Sequence, residues 1–223
     1  MIDGGFYRKR AKFLFGKKSP EERALELQEY CNCLLASKFE DRSLYRIFYY
    51  DCPPSDKTIY HPLLNKSINL KNSEEYEWMT NFLNEMKRLR KVALRLGRLS
   101  DTETQFQLKY DVLKNFCRGK ISMDDLSEND FQLMIKQKGV DMRIGVDISS
   151  LSFKKQVQQI ILVAGDSDFV PASKQARREG VDFILDPMQA HIHNDLFEHI
   201  DGLQNSSTYF QRKKRNTKTL LKV

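Results

Sequence analysis

The chain has 223 residues, 40% of them apolar and 30% charged, a composition that suits a soluble α/β domain with a sizeable core. No stretch of about 18 apolar residues occurs, which argues against a membrane-spanning helix, and the opening Met1-Ile2-Asp3-Gly4-Gly5 lacks the basic-then-apolar pattern of a secretory leader. The net charge of +7 points towards a polyanionic partner.

Met1-Ile2 reads as the end of a short first strand. Ser19-Pro20-Glu21-Glu22 is a helix start, with Ser19 as cap, Pro20 in the first helical position and Glu22 completing a capping box. Leu27, Cys31, Leu34 and Leu35 extend its apolar stripe to about Ser37. Arg46-Ile47-Phe48-Tyr49-Tyr50 is a second strand, ended by Asp51-Cys52-Pro53-Pro54, and an irregular polar excursion is expected near residues 52–72. Ser73 to about Lys91 is a helix burying Tyr76, Met79, Phe82, Leu83, Met86 and Leu89, followed by a strand at Val92–Leu96. Residues 100–130 carry no clear pattern. Phe131, Leu133 and Ile135 alternate with polar residues in a strand that runs into Lys138-Gly139-Val140-Asp141, and a helix from Asp141 to Phe153 follows.

The unbroken apolar run Ile160-Ile161-Leu162-Val163-Ala164 fits a strand covered on both faces. A helix from Phe169 to Glu179 ended by Gly180, a strand at Val181–Leu185 and a last helix from His191 to Ile200 complete the pattern. This alternation predicts a doubly wound, mostly parallel sheet flanked by helices, with one domain over residues 1–203 and a flexible basic tail over 204–223.

Asp3, Asp141, Asp166 and Asp168 each follow a predicted strand, and in a parallel sheet such positions share the edge where ligands bind. Gathering them is costly, since two unit charges about 4 Å apart repel by about 4 kcal/mol at an effective dielectric of about 20. A hard, oxygen-preferring cation such as Mg²⁺ or Mn²⁺ offsets that repulsion and activates water towards a phosphoryl group. With the basic clusters Arg8-Lys9-Arg10, Lys17-Lys18, Lys87-Arg88 and Arg212-Lys213-Lys214-Arg215, this suggests phosphodiester hydrolysis. Plain structural roles stay open: Asp168 and Asp141 as helix caps, Asp3 as a turn residue, and each basic cluster as a solvated face. Asp147 falls off the Asp141 face of its helix, and Asp51 reads as structural.

Ile2-Asp3-Gly4-Gly5-Phe6, Arg46-Ile47-Phe48-Tyr49-Tyr50-Asp51, Gln137-Lys138-Gly139-Val140-Asp141 and Ala164-Gly165-Asp166-Ser167-Asp168-Phe169 together resemble the NYN domain, a branch of the PIN-like nucleases related to LabA-type bacterial proteins. The resemblance runs from residue 2 to about 185. It implies a PIN-like three-layer α/β sandwich and a metal-dependent ribonuclease that uses water activated by Mg²⁺ or Mn²⁺ in an acidic pocket. The implied ligands are Asp3, Asp141, Asp166 and Asp168; by position, Lys138 beside Asp141 is either a phosphate contact or an exposed strand-end lysine, and Ser167 between two ligands is a candidate for orienting water. Gly5 departs from the pattern, because many relatives carry Asn after the first Asp-Gly. A non-catalytic RNA-binding or adaptor protein of the same fold is the alternative, and a phosphatase acting on a small substrate is a third reading.

The remaining signals are plainer. Cys31 and Cys33 read as core, and the four cysteines form no CxxC pair, as expected of a reduced cytoplasmic protein. His191, His193 and His199 read as a surface helix rather than a zinc site, and Trp78 as filler.

Overall fold

A computed structural model describes residues 1–35 and 41–220, with side chains for all of these except 101–103 and 214–220. The first part of the chain forms β1 (Ile2–Asp3), α1 (Gly4–Phe15), α2 (Pro20–Leu35), β2 (Ile47–Asp51), β3 (Thr58–His61), β4 (Lys66–Asn69), α3 (Glu74–Arg88) and β5 (Val92–Leu96). Next come β6 (Arg98–Leu108), α4 (Tyr110–Cys117), β7 (Phe131–Lys138), α5 (Val140–Phe153) and β8 (Gln159–Val163). The chain continues through α6 (Val170–Arg178), β9 (Asp182–Asp186), α7 (Asn194–Phe197), β10 (Gly202–Leu203) and α8 (Ser206–Leu220).

Alternate residues of β2 enter two different cores, and this alternation organises the molecule. Ile47 and Tyr49 pack with Tyr7, Leu27 and Phe82 from α1, α2 and α3. Phe48 and Tyr50 pack with Ile144, Ile148 and Phe169 on the side of α5 and α6. A strand covered on both faces has no need of polar alternation, which is why β2 is buried along its whole length. β8 does the same, with Ile160 and Leu162 facing α5 and α6 while Val163 faces the opposite layer. The result is a six-stranded parallel sheet of order β10-β9-β8-β1-β2-β5 between two helical layers, the expected three-layer sandwich.

Helix boundaries follow the local chemistry. Ser19 and Glu22 bond each other's backbone amides in the expected capping box, and Ser73 caps α3 through the Tyr76 amide. Met79, Phe82, Leu83 and Met86 form the buried stripe of α3, while Tyr76 and Leu89 are only half-buried. Trp78 stacks on Phe82 and donates to the Lys18 carbonyl, so it belongs to the core. Ser37, the expected end of α2, lies outside the described residues.

Several expectations are corrected. The irregular excursion near 52–72 contains an antiparallel hairpin, β3 with β4. Its short, mostly exposed strands lack the apolar run that marks a strand in sequence. Residues 98–108 form a long strand that pairs antiparallel with β7 in a separate ribbon, so β7 lies outside the central sheet. The His61 ring ties the hairpin to this ribbon, lying 4.5 Å from Phe106 and 5.0 Å from Phe131. The last helix before the tail is one turn, Asn194–Phe197, rather than a helix over 191–200.

The tail beyond 204 is also not loose at its start. Ser206 donates its amide to the buried Asp186 at the end of β9, and Phe210 is 2% exposed. Its ring meets Phe15 and Tyr30 edge-on at 5.2 and 5.5 Å. Local polarity hid this, because a single aromatic anchors α8. Phe210→Ala is expected to cost about 3–5 kcal/mol, read as a lower urea midpoint; an unchanged midpoint would show that α8 contributes nothing to the core.

Candidate active site

The strand order places a topological switch point at the centre of the sheet. From β1 the chain steps outward through β2 and β5, then returns to the other side of β1 and steps outward through β8, β9 and β10. At such a point the connections leave in opposite directions, opening a crevice beyond the carboxyl ends of the strands. Asp3 ends β1, and Asp166 and Asp168 follow β8. Ile2 pairs with Val163 on one side and Tyr49 on the other, so the strand ends carrying these acids are neighbours.

Asp141 arrives by another route. It follows β7, which is not in the parallel sheet, so the expectation that all four acids share one sheet edge holds only for Asp3, Asp166 and Asp168. Gly139, at φ +80°, turns the ribbon into α5, a backbone angle that a side chain would strain. Asp141 then stands in the first turn of α5, and burial together with the charges of Asp166 and Asp168 raises its pKa. Asp3 is more enclosed: burial first, then the charges of Asp141 and Asp51, push its carboxyl up to about 6, against the pull of the Phe6 amide. The four aspartates therefore share one electrostatic environment.

The structural alternatives resolve residue by residue. Asp3 caps α1, accepting the Phe6 amide at 3.0 Å. Asp166 caps the short 3-10 turn Ser167–Phe169, accepting the Asp168 amide at 3.1 Å. Asp168 and Asp141 are not N-caps, since Phe169 and Gly139 hold those places. Gly165 lets the loop after β8 close against α1: a Cβ there would lie 2.6 Å from the Phe6 ring. Ser167 is half-buried between Asp166 and Asp168, and Lys138 is exposed at the end of β7.

Residues that carry little functional signal by themselves form the floor beside Asp3. Asp51 is fully buried and accepts Arg8 Nε at 3.0 Å, Arg8 Nη2 at 3.2 Å, Tyr49 Oη at 2.9 Å and the Cys52 amide at 2.8 Å. Gln137 Nε2 adds a fifth contact at 3.3 Å. With its lone pairs committed to these donors, Asp51 is a structural acid. Gln137 was readable in principle, because it shares the inward parity of Leu133 and Ile135 on β7. Asp147 is likewise committed, to Arg95 at 2.9 Å and Tyr50 Oη at 2.9 Å.

Among the described residues, no lysine or arginine forms an ion pair with Asp3, Asp141, Asp166 or Asp168. Nor do any three His, Cys, Asp or Glu among them stand close enough to enclose a bare ion. His191 and His193 are exposed and outside this cluster.

A family model of the NYN domain matches residues 69–199. The chain belongs to the NYN family, within the PIN-like nuclease superfamily, and its six-stranded sheet is consistent with that fold. The match contains Asp141, Asp166 and Asp168, while Asp3 lies before it. Membership points to nuclease-type chemistry with nucleic acid as substrate. No curated protein and no solved structure matches the sequence significantly. Among the described residues, no helix is long and apolar enough to cross a membrane.

The raised carboxyl of Asp3 gives a pH signature when divalent ions are chelated. Its folded value of about 6 lies above the unfolded 3.8, so protonation stabilises the fold fully below about pH 4, and that gain is lost as the pH rises through 6. The chelated wild type is expected to melt higher at about pH 5 than at about pH 7.5. Asp3→Asn, which still caps a helix, should show a smaller difference. Identical pH profiles for the two would remove Asp3 from the cluster.

Proposed function

We propose that the chain is a divalent-metal-dependent ribonuclease, in which Asp3, Asp141, Asp166 and Asp168 hold one or two Mg²⁺ or Mn²⁺ ions directly or through water. The observation that carries this reading is the charge repulsion of Asp141 with Asp3, Asp166 and Asp168 near the switch point, where among the described residues no lysine or arginine pairs with any of the four. When bound, such an ion activates water and stabilises charge on a phosphoryl oxygen.

The protein's own residues prepare that site. The Phe6 amide holds the Asp3 carboxylate in place, and the Asp168 amide does the same for Asp166. Asp141 and Asp168, not spent as N-caps, are the acids available to a cation. Ser167 orients a water between its two acidic neighbours, and Lys138 contacts a phosphate of the bound strand. The positive end of α6 behind Asp168 favours an anion in the same place. Family membership favours RNA, and the net charge of +7 supports a polyanionic substrate. The four free cysteines support a reducing, cytoplasmic setting.

Labelled single-stranded RNA, structured RNA and DNA incubated with Mn²⁺ or Mg²⁺ test this reading by gel. RNA cleavage is expected, with Asp166→Asn and Asp141→Asn slower by at least about 10–100-fold, the loss typical of changes near a metal. Binding without cleavage in either metal would instead favour the adaptor, and turnover of small phosphate esters alone would favour a phosphatase. Mn²⁺ at about 100 times its Kd should also stabilise the wild type by about 2.7 kcal/mol; no thermal shift with either ion would remove the metal from the reading.

A further inference from the structure

The cleft beside the acids is larger than a metal site requires. A cavity of about 540 Å³ lies between α1, the start of α3 and the ribbon, within the range of about 300–1,000 Å³ usual for small-molecule sites. Its apolar lining includes Leu70, Tyr76, Met79, Leu99, Leu133 and Ile135, and Glu75 is the acid among its lining residues. Gly5, Arg8, Lys9 and Gln137 complete its side nearest the acids.

The alternation along β7 explains why this space exists. Phe131, Leu133 and Ile135 are half-buried while Gln132, Met134 and Lys136 are exposed, so one face of the ribbon is turned inward. That ribbon is not part of the central sheet; its Leu133 and Ile135 front the cavity and belong to neither of the two cores, while Leu99 lines the cavity and also packs against the core beneath α5 and α6. The same parity carries Gln137 to Asp51, at the acidic end.

Gly5 connects cavity and acids. A Cβ on Gly5 would sit in ordinary contact 3.5 Å from Asp3 Oδ1 and 3.8 Å from Gln137 Oε1, so Gly5 stands between the carboxylate and the cavity it lines, with no side chain of its own in that space. Arg8 is 24% exposed while it pairs with Asp51, and Lys9 is exposed, which places positive charge beside an apolar chamber.

We propose that this cavity receives one unstacked base of a single RNA strand, immediately beside the phosphate held at the aspartates; the proposal rests on the nuclease reading above. The chemistry matches each part of such a nucleotide. The Tyr76 ring and the aliphatic walls take the base face, as single-strand sites do. Lys9 and the exposed edge of Arg8 neutralise a flanking phosphate. Bare Gly5 allows the sugar-phosphate chain to pass close to the helix. A paired, stacked base cannot enter such a chamber without leaving its duplex, so the site selects unpaired strands and loops.

The test uses one single-stranded RNA cut by the wild type with Mn²⁺, and a series in which each position in turn is abasic. One position near the cut is expected to lower kcat/KM about tenfold when its base is removed, the scale of a lost stacking contact. Gly5→Leu, which fills that space, and Tyr76→Ala should each slow the intact RNA to a similar degree. In both, removing the base at that position should have no further effect. Equal cutting of every abasic RNA, or an undiminished abasic penalty in both variants, would overturn the base pocket while leaving the nuclease reading intact. If no RNA is cut, the nuclease reading falls. The same oligonucleotides, measured by fluorescence anisotropy on the wild-type chain, then decide the pocket: loss of affinity at one abasic position supports it, and uniform affinity overturns it.

Discussion

Two residues in the middle of the sheet hold the site together. Ile2 and Asp3 form a strand too short to be stable by itself, yet they sit between β2 and β8, paired on both sides. Ile2 is 1% exposed and contributes to the core shared by α1, α2 and α3. Without that insertion the neighbours of β1 would have no common partner, and Asp3 would have no reason to face the acids after β8. Asp3 is buried at this point, and that burial first, with the charges of Asp141 and Asp51 adding to it, raises its carboxyl pKa.

A second acid pair shows how the protein separates structural from available carboxylates. Asp51 and Asp186 end strands β2 and β9, and both are buried. Asp51 is surrounded by Arg8, Tyr49, Cys52 and Gln137, and Asp186 by Tyr30, Met188 and Ser206. Each ties distant segments together and is satisfied by donors from the protein. Among the described residues, Asp3 and Asp166 each accept a single printed backbone amide, so these acids differ from Asp51 and Asp186 in partners rather than in residue type.

The ribbon of β6 and β7 adds to this core something that strand and helix counting does not convey. It leaves the sheet after β5 and returns through Gly139 to α5, carrying Asp141 to the acids from outside the parallel sheet. The hairpin of β3 and β4 braces it through His61, Phe106 and Phe131. The ribbon therefore both leads into the helix that carries Asp141 and walls the neighbouring cavity.

Much of the fold was legible in the residues themselves. The apolar runs of β2 and β8, the Ser19–Glu22 capping box and the stripe along α3 are local patterns, and local patterns report periodicity and burial directly. Asp3, Asp166 and Asp168 could likewise be placed at the ends of sheet strands. Tertiary structure alone decided that β7 leaves the parallel sheet, that Asp141 enters from a ribbon, and that Phe210 draws a polar tail into the core. It alone also set Asp51 apart from Asp3, by giving one carboxylate its donors and the other its like-charged neighbours. These outcomes depend on which segments meet across the chain, and no short window of sequence contains both partners of such a meeting.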